Sequence, residues 1–115
     1  MNERSVLSRR EREAIDTFVQ RLYDHHGDRV RSAVLFGSKA RGDSGPESDI
    51  DLLVTSSDDD PQLRSAVRRL AARVSLEYEL LLSVRALSLS QWDELARYRS
   101  PLYRSIMSEG INIGQ

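Results

Sequence analysis

Two short stretches of this chain place polar groups where packing gives them no use. In Asp49-Ile50-Asp51 the surrounding sequence is apolar, Ile50 and then Leu52-Leu53-Val54. In an extended chain, side chains two apart share a face about 6.5–7 Å apart, so Asp49 and Asp51 point one way and Ile50 the other. Two carboxylates side by side at the mouth of an apolar strand repel each other and are costly unless solvated or bridged by a cation. Mg2+ suits them, because it takes hard oxygen ligands and commonly one or two carboxylates completed by substrate phosphates. Alone, the pattern also fits a solvated strand start in which Asp49 caps a turn. The second stretch is Gly37-Ser38, directly after the apolar run Ala33-Val34-Leu35-Phe36. A strand ending on glycine and serine and opening a short helix turns backbone N–H groups outward, and such groups attract phosphate. Phosphate donors beside two cation ligands outline a nucleoside triphosphate site. Neither a Walker loop nor a dinucleotide fingerprint is present.

These residues need elements to hold them. Ser8-Arg9-Arg10-Glu11 has the form of a capping box, after a lead-in over 1–7 that reads as frayed. Ile15, Phe18, Val19, Leu22 and Tyr23 form one apolar stripe, which predicts a helix over 9–25 capped by Gly27. Residues 30–36 read as a buried strand, 38–42 as a short helix, 43–48 as a loop and 49–55 as a second strand. Asp60-Pro61 opens a helix whose stripe runs Leu63, Ala66, Val67, Leu70, Ala71, Val74. A third strand is expected over 77–84, with Glu77 and Glu79 on one face and Tyr78 on the other. Ser90 is expected to cap a further helix with Trp92, Leu95 and Ala96 inward. Ser100-Pro101 opens a last helix closed by Gly110, and Ile111-Asn112-Ile113 could add an edge strand. Residues 1–115 read as one domain, with no repeat or linker.

Composition excludes several classes. The chain has 115 residues, 17 basic and 18 acidic, for a net charge of −1, so it does not hold nucleic acid by bulk charge, and no direct nucleic-acid binding is expected. The basic residues are 16 Arg and one Lys, which reads as genomic base composition. No cysteine is present, which removes a disulfide scaffold, a thiolate metal site and a cysteine nucleophile. No apolar run is long enough for a membrane span, and the charged N-terminus has no signal-like core, so a cytoplasmic protein is expected.

With these residues in view, the chain resembles a known family. Gly37-Ser38, ten residues, then Asp49-Ile50-Asp51 matches the Gly-Ser-x10-Asp-x-Asp signature of the polymerase-beta-like nucleotidyltransferases. The fuller string from Leu35 to Gly42 and from Ser48 to Leu52, with the tail Ser100-Pro101-Leu102-Tyr103-Arg104 to Ile111, resembles the minimal nucleotidyltransferases. The resemblance implies an α/β (α+β) fold, a small mixed β-sheet flanked by helices. It implies transfer of a nucleoside monophosphate, AMP from ATP, to a hydroxyl, and a HEPN-type toxin as partner with one of its tyrosines as acceptor, the protein serving as antitoxin. Two Mg2+ ions would sit on Asp49 and Asp51, Gly37 and Ser38 would grip the outer phosphates, and Arg41 would add charge there. The family's third carboxylate comes from a later strand. Glu79 is the choice here, as metal ligand or general base, where the family usually has Asp. A glutamate is one methylene longer, and a misplacement of about 1 Å can cost roughly 10²-fold in rate. Two alternatives stand: a catalytically weak antitoxin that acts by binding, and nucleotidyl transfer to RNA or a small molecule.

Other polar clusters have blander readings. His25-His26 ends a helix without metal-ligand spacing, Asp58-Asp59-Asp60 is a solvated loop with an N-cap, and Lys39 is expected to face solvent.

Overall fold

The computed structural model describes residues 7–43, 45 and 49–114. Helix α1 (Arg9–His26) starts on the expected capping box: the Ser8 hydroxyl accepts from the Glu11 N–H at 3.1 Å, and the Glu11 carboxylate accepts from the Ser8 N–H at 2.8 Å. Ala14, Ile15, Phe18 and Leu22 are buried along its inner stripe, each of the larger ones stabilising the fold by roughly 1.5–3 kcal/mol. Of the expected frayed lead-in, residues 1–6 lie outside the described residues, and Leu7 is buried in the core instead.

Strands β1 (Val30–Phe36), β2 (Ile50–Ser56), β3 (Leu82–Ser88) and β4 (Ile111–Asn112) form one mixed sheet in the order β3-β2-β1-β4. β1 pairs antiparallel with β2 and β4, and β2 pairs parallel with β3. The short helix α2 (Ser38–Arg41) follows β1, and α3 (Pro61–Tyr78) links β2 to β3, starting on the expected Asp60 cap and Pro61. Helices α4 (Leu89–Arg97) and α5 (Pro101–Glu109) precede β4.

Register assigns the two sheet faces. Ala33 opposes Val54, Leu35 opposes Leu52, and Ile50 opposes Leu82. These residues are buried in one cluster with the inner stripes of α1 and α3. The alternate positions, Val34 opposite Leu53 and Phe36 opposite Asp51, face the other way. There α4 lies against β2 and β3, and α5 against β1. Asp51 stands at the end of that second face, half-buried.

The expected strand over 77–84 is corrected. α3 runs on to Tyr78, and the strand begins at Leu82. Past Val74 the helix carries polar groups that find partners. The Ser75 hydroxyl donates to the Ala71 carbonyl at 2.7 Å and accepts from the Leu82 N–H at 2.9 Å. The Tyr78 and Thr17 hydroxyls bond at 2.7 Å, and Arg21 grips Glu77 with two bonds of 3.0 Å. Three contacts with partners therefore carry the helix beyond its apolar stripe. The cap of α4 is also corrected, from Ser90 to Ser88, whose hydroxyl and the Gln91 side chain form the reciprocal box. Trp92, Leu95 and Ala96 are only half-buried, and Trp92 packs on Tyr103 at 5.3 Å between ring centres.

Candidate active site

Gly37 joins β1 to α2 with φ 77 and ψ −158, a backbone conformation that side-chain-bearing residues avoid. The glycine is also needed for space. A Cβ there would strike the Asp51 Oδ2 and lie 3.1 Å from Asp51 Cγ. The turn and the carboxylate are thus packed directly on each other. α2 closes at Gly42, φ 81, whose N–H donates to the Ser38 carbonyl at 2.9 Å.

Asp49 is exposed just before β2, and Asp51 follows within it. Burial pushes the Asp51 carboxyl above its usual range and the neighbouring Asp49 pushes it further, against the nearby charges of Arg85 and Arg41. A carboxylate that is reluctant to ionise alone is suited to a cation. Asp49 and Asp51 are the residues that would hold a hard divalent ion, and its remaining ligands would have to come from outside the pair. Among the described residues no three His, Cys, Asp or Glu side chains are gathered as a metal site.

Glu79 is not brought to the pair in such a cluster. It is the C-cap of α3, in left-handed backbone at φ 55 and ψ 46, and its N–H donates to the Ser75 carbonyl. Its expected place on a strand face beside Glu77 is corrected with the strand itself. Arg41 stands near Asp51 but is already held, by Asp43 at 3.0 Å and by both Glu109 oxygens at 3.2 Å.

Lys39, expected in solvent, is 3% exposed. Its ammonium pairs with Glu11 at 2.6 Å and donates to the Gly45 carbonyl at 3.1 Å. Burial pushes the Glu11 carboxyl up, but Lys39 and the Ser8 donors more than reverse this and leave it below the usual range. Sequence reasoning also missed Arg85. Ser83 and Arg85 alternate with Leu82, Val84 and Ala86, so a strand read at 82–88 would have placed them on the second face. The remaining polar clusters are structural. Arg29 binds Asp58 at 2.9 Å and Asp60 at 2.7 Å, and Asp59 binds Arg64 at 2.6 Å. His25 and His26 line a shallow cleft with Arg21, Arg69 and Arg73 on the opposite helical layer.

The family model described as "Nucleotidyltransferase domain" matches residues 12–111, from α1 through β4. The chain belongs to that family. This nucleotidyltransferase domain is 48% identical over 44 residues to the Methanocaldococcus jannaschii protein named "Putative protein adenylyltransferase MJ0604", covering 38% of the chain and 44% of the relative. It is 40% identical over 58 residues to the similarly named MJ0141 of the same organism, covering 49% of the chain and 58% of the relative. The matches thus span about half the length of these curated relatives. The nucleotidyltransferase fold is shared with a crystal structure of a toxin–antitoxin with AMP-PNP, at a TM-score of 0.54 and 22% identity over 87% of this chain and 73% of that one. It is shared equally with a tri-AMPylated Shewanella oneidensis HEPN toxin in complex with MNT antitoxin, at a TM-score of 0.52 and 20% identity over 90% and 72%.

Proposed function

We propose that the chain is a Mg2+-dependent nucleotidyltransferase that moves AMP from ATP to a hydroxyl, a tyrosine of a HEPN-type toxin, and thereby acts as an antitoxin in the cytoplasm. The observation that carries this reading is the Gly37 turn packed onto the Asp51 carboxylate. It supports a reading in which backbone that would take a phosphate lies against a carboxylate that would hold a cation. The curated relatives' names and the toxin–antitoxin complexes among the structural neighbours support the donor and the partner.

Asp49 and Asp51 would hold Mg2+, which when bound supplies positive charge to neutralise the reacting phosphates. Gly37 lets a phosphate approach the backbone without a side chain between them, and Ser38 offers a hydroxyl. The Gly42 cap and the Arg41 bonds to Asp43 and Glu109 keep the turn in shape. The acceptor oxygen replaces pyrophosphate at the α-phosphorus, and docking must present that oxygen, because the turn and two carboxylates contact only the donor side. Tyr98, the C-cap of α4, and Met107 on α5 are 71% and 65% exposed and offer apolar anchors for a partner. No helix among the described residues is long and apolar enough to cross a membrane.

Neutralisation by binding alone is the second reading, favoured by the lack of a three-carboxylate group among the described residues. Incubation with the product of the adjacent gene, α-labelled ATP and Mg2+, followed by mass spectrometry, separates the two. Label on a partner tyrosine that is lost in the Asp49→Asn/Asp51→Asn variant supports transfer. A stable complex that never carries label overturns transfer and leaves binding.

A further inference from the structure

The sheet face that carries Asp51 also carries a cation with no assigned work. β3 lies parallel to β2, with Ser83 opposite Asp51 and Arg85 opposite Leu53. Paired positions project from the same face, so Asp51, Ser83 and Arg85 share it. A carboxylate on this neighbouring strand would help close a protein-built cage around a metal at Asp49 and Asp51. Serine and arginine stand there instead. Arg85 is exposed, and among the described residues it makes no ion pair. Arg41, the other cation near Asp51, is already compensated by Asp43 and Glu109. Among the described residues, Arg85 is therefore an uncommitted positive charge at the site.

We propose that the Arg85 guanidinium binds the triphosphate of the incoming nucleotide, and that Asp49 and Asp51 consequently hold a divalent cation only together with that nucleotide. The inference rests on the reading of this end of the sheet as a nucleotide site. A guanidinium fork matches phosphate oxygens in pairs and stays charged at all working pH values. Two carboxylates with a nearby guanidinium bind a free divalent ion weakly, because the guanidinium opposes it. A triphosphate reverses the balance by bringing negative charge to both cations.

The test uses the full chain in four forms: wild type, Arg85→Ala, Arg85→Lys and Arg85→Asp. Fluorescent trinitrophenyl-ATP is titrated with Mg2+ present, and Mn2+ is titrated without nucleotide by electron paramagnetic resonance. Arg85→Ala is expected to weaken nucleotide binding by about 10–100-fold, the range for a lost bond to a charged group, and Arg85→Lys to recover part of it. Arg85→Asp, which reverses the charge beside the two carboxylates, is expected to bind nucleotide more weakly still and to tighten nucleotide-free Mn2+ binding at least about tenfold. Melting temperatures within a few degrees of wild type check the fold, as expected for an exposed position. Nucleotide affinity unchanged in Arg85→Ala overturns the assignment, as does Mn2+ affinity unchanged in Arg85→Asp. If folded wild type binds no nucleotide, the nucleotide-site reading falls and takes this inference with it. If wild type binds and Arg85→Ala binds equally, only the inference falls.

Discussion

Replacing Gly37 with alanine adds one methyl group and should damage both the fold and the site. The first cost is conformational. At φ 77 and ψ −158 a residue with a Cβ incurs roughly 1–3 kcal/mol. The second is steric, since the new Cβ meets the Asp51 Oδ2, with Asp51 Cγ at 3.1 Å and Cβ at 3.3 Å. Asp51 cannot swing away freely, because its backbone is fixed opposite Phe36 in the ladder. The methyl group must therefore displace the carboxylate from the position where it could hold a cation. The sum is about 2–4 kcal/mol, and at about 4 °C per kcal/mol for a domain of this size it lowers Tm by about 8–16 °C. Thermal unfolding read by circular dichroism, with and without Mg2+ and ATP, measures both effects. Wild type should gain Tm with ligand, and Gly37→Ala should not. A cycle with Asp51→Ala isolates the contact: the double variant should recover the steric part of the loss and keep the conformational part. A Gly37→Ala protein that melts with wild type and still responds to ATP would refute the reasoning.

Other substitutions test other contacts. Lys39→Met should cost about 3 kcal/mol by denaturant unfolding, because it strands the Glu11 carboxylate in a site that is only 12% exposed. In wild type the Glu11 carboxyl sits below its ordinary 4.5, so its contribution is present above that pH and is lost as pH falls through the lower folded value. In Lys39→Met that acid-side loss should disappear, which a pH series of Tm would show. Asp51→Asn should raise Tm at pH 7 in the absence of ligand. The Asp51 carboxyl is raised, so its ionisation costs the fold stability as pH climbs above the ordinary 3.8, and the difference from wild type should vanish below that pH. Glu79→Gly should stabilise the fold by roughly 0.5–1 kcal/mol by relieving left-handed backbone, with nucleotide affinity unchanged. A tenfold loss of affinity would instead put the Glu79 carboxylate in the site.

Much of the arrangement was legible because local rules and tertiary need agreed. The Ser8 and Asp60 caps, the stripe through Phe18 and Leu22, and the strand ending at Gly37 form as their sequences dictate. Asp49 and Asp51 stood out because no packing role accounts for them. The segment after Val74 was not legible. Glu-Tyr-Glu-Leu-Leu-Leu has the apolar density of a buried strand, and the left-handed cap that ends α3 is filled by Glu79, not by the glycine that would have marked it. What holds that last turn in helix is Thr17 and Arg21 on α1, distant in sequence. Lys39 was hidden for the same reason. Its burial depends on Glu11 arriving from the start of the chain, and nothing local to Ser38-Lys39-Ala40 announces that.

The Lys39 ammonium joins parts of the molecule that sequence keeps apart. One Glu11 oxygen receives the Ser8 N–H that starts α1, the other receives Lys39, and Lys39 also holds the Gly45 carbonyl, four positions before Asp49. Opening the first turn of α1 would free Glu11 and leave the ammonium buried without its counter-charge. The helix start and the turn after Gly37, as far as the Gly45 carbonyl, should therefore open as one cooperative unit, with amide protons that exchange at a common free energy. A partner that clasps or unwinds the beginning of α1 would then tighten or slacken the carboxylate end without touching it.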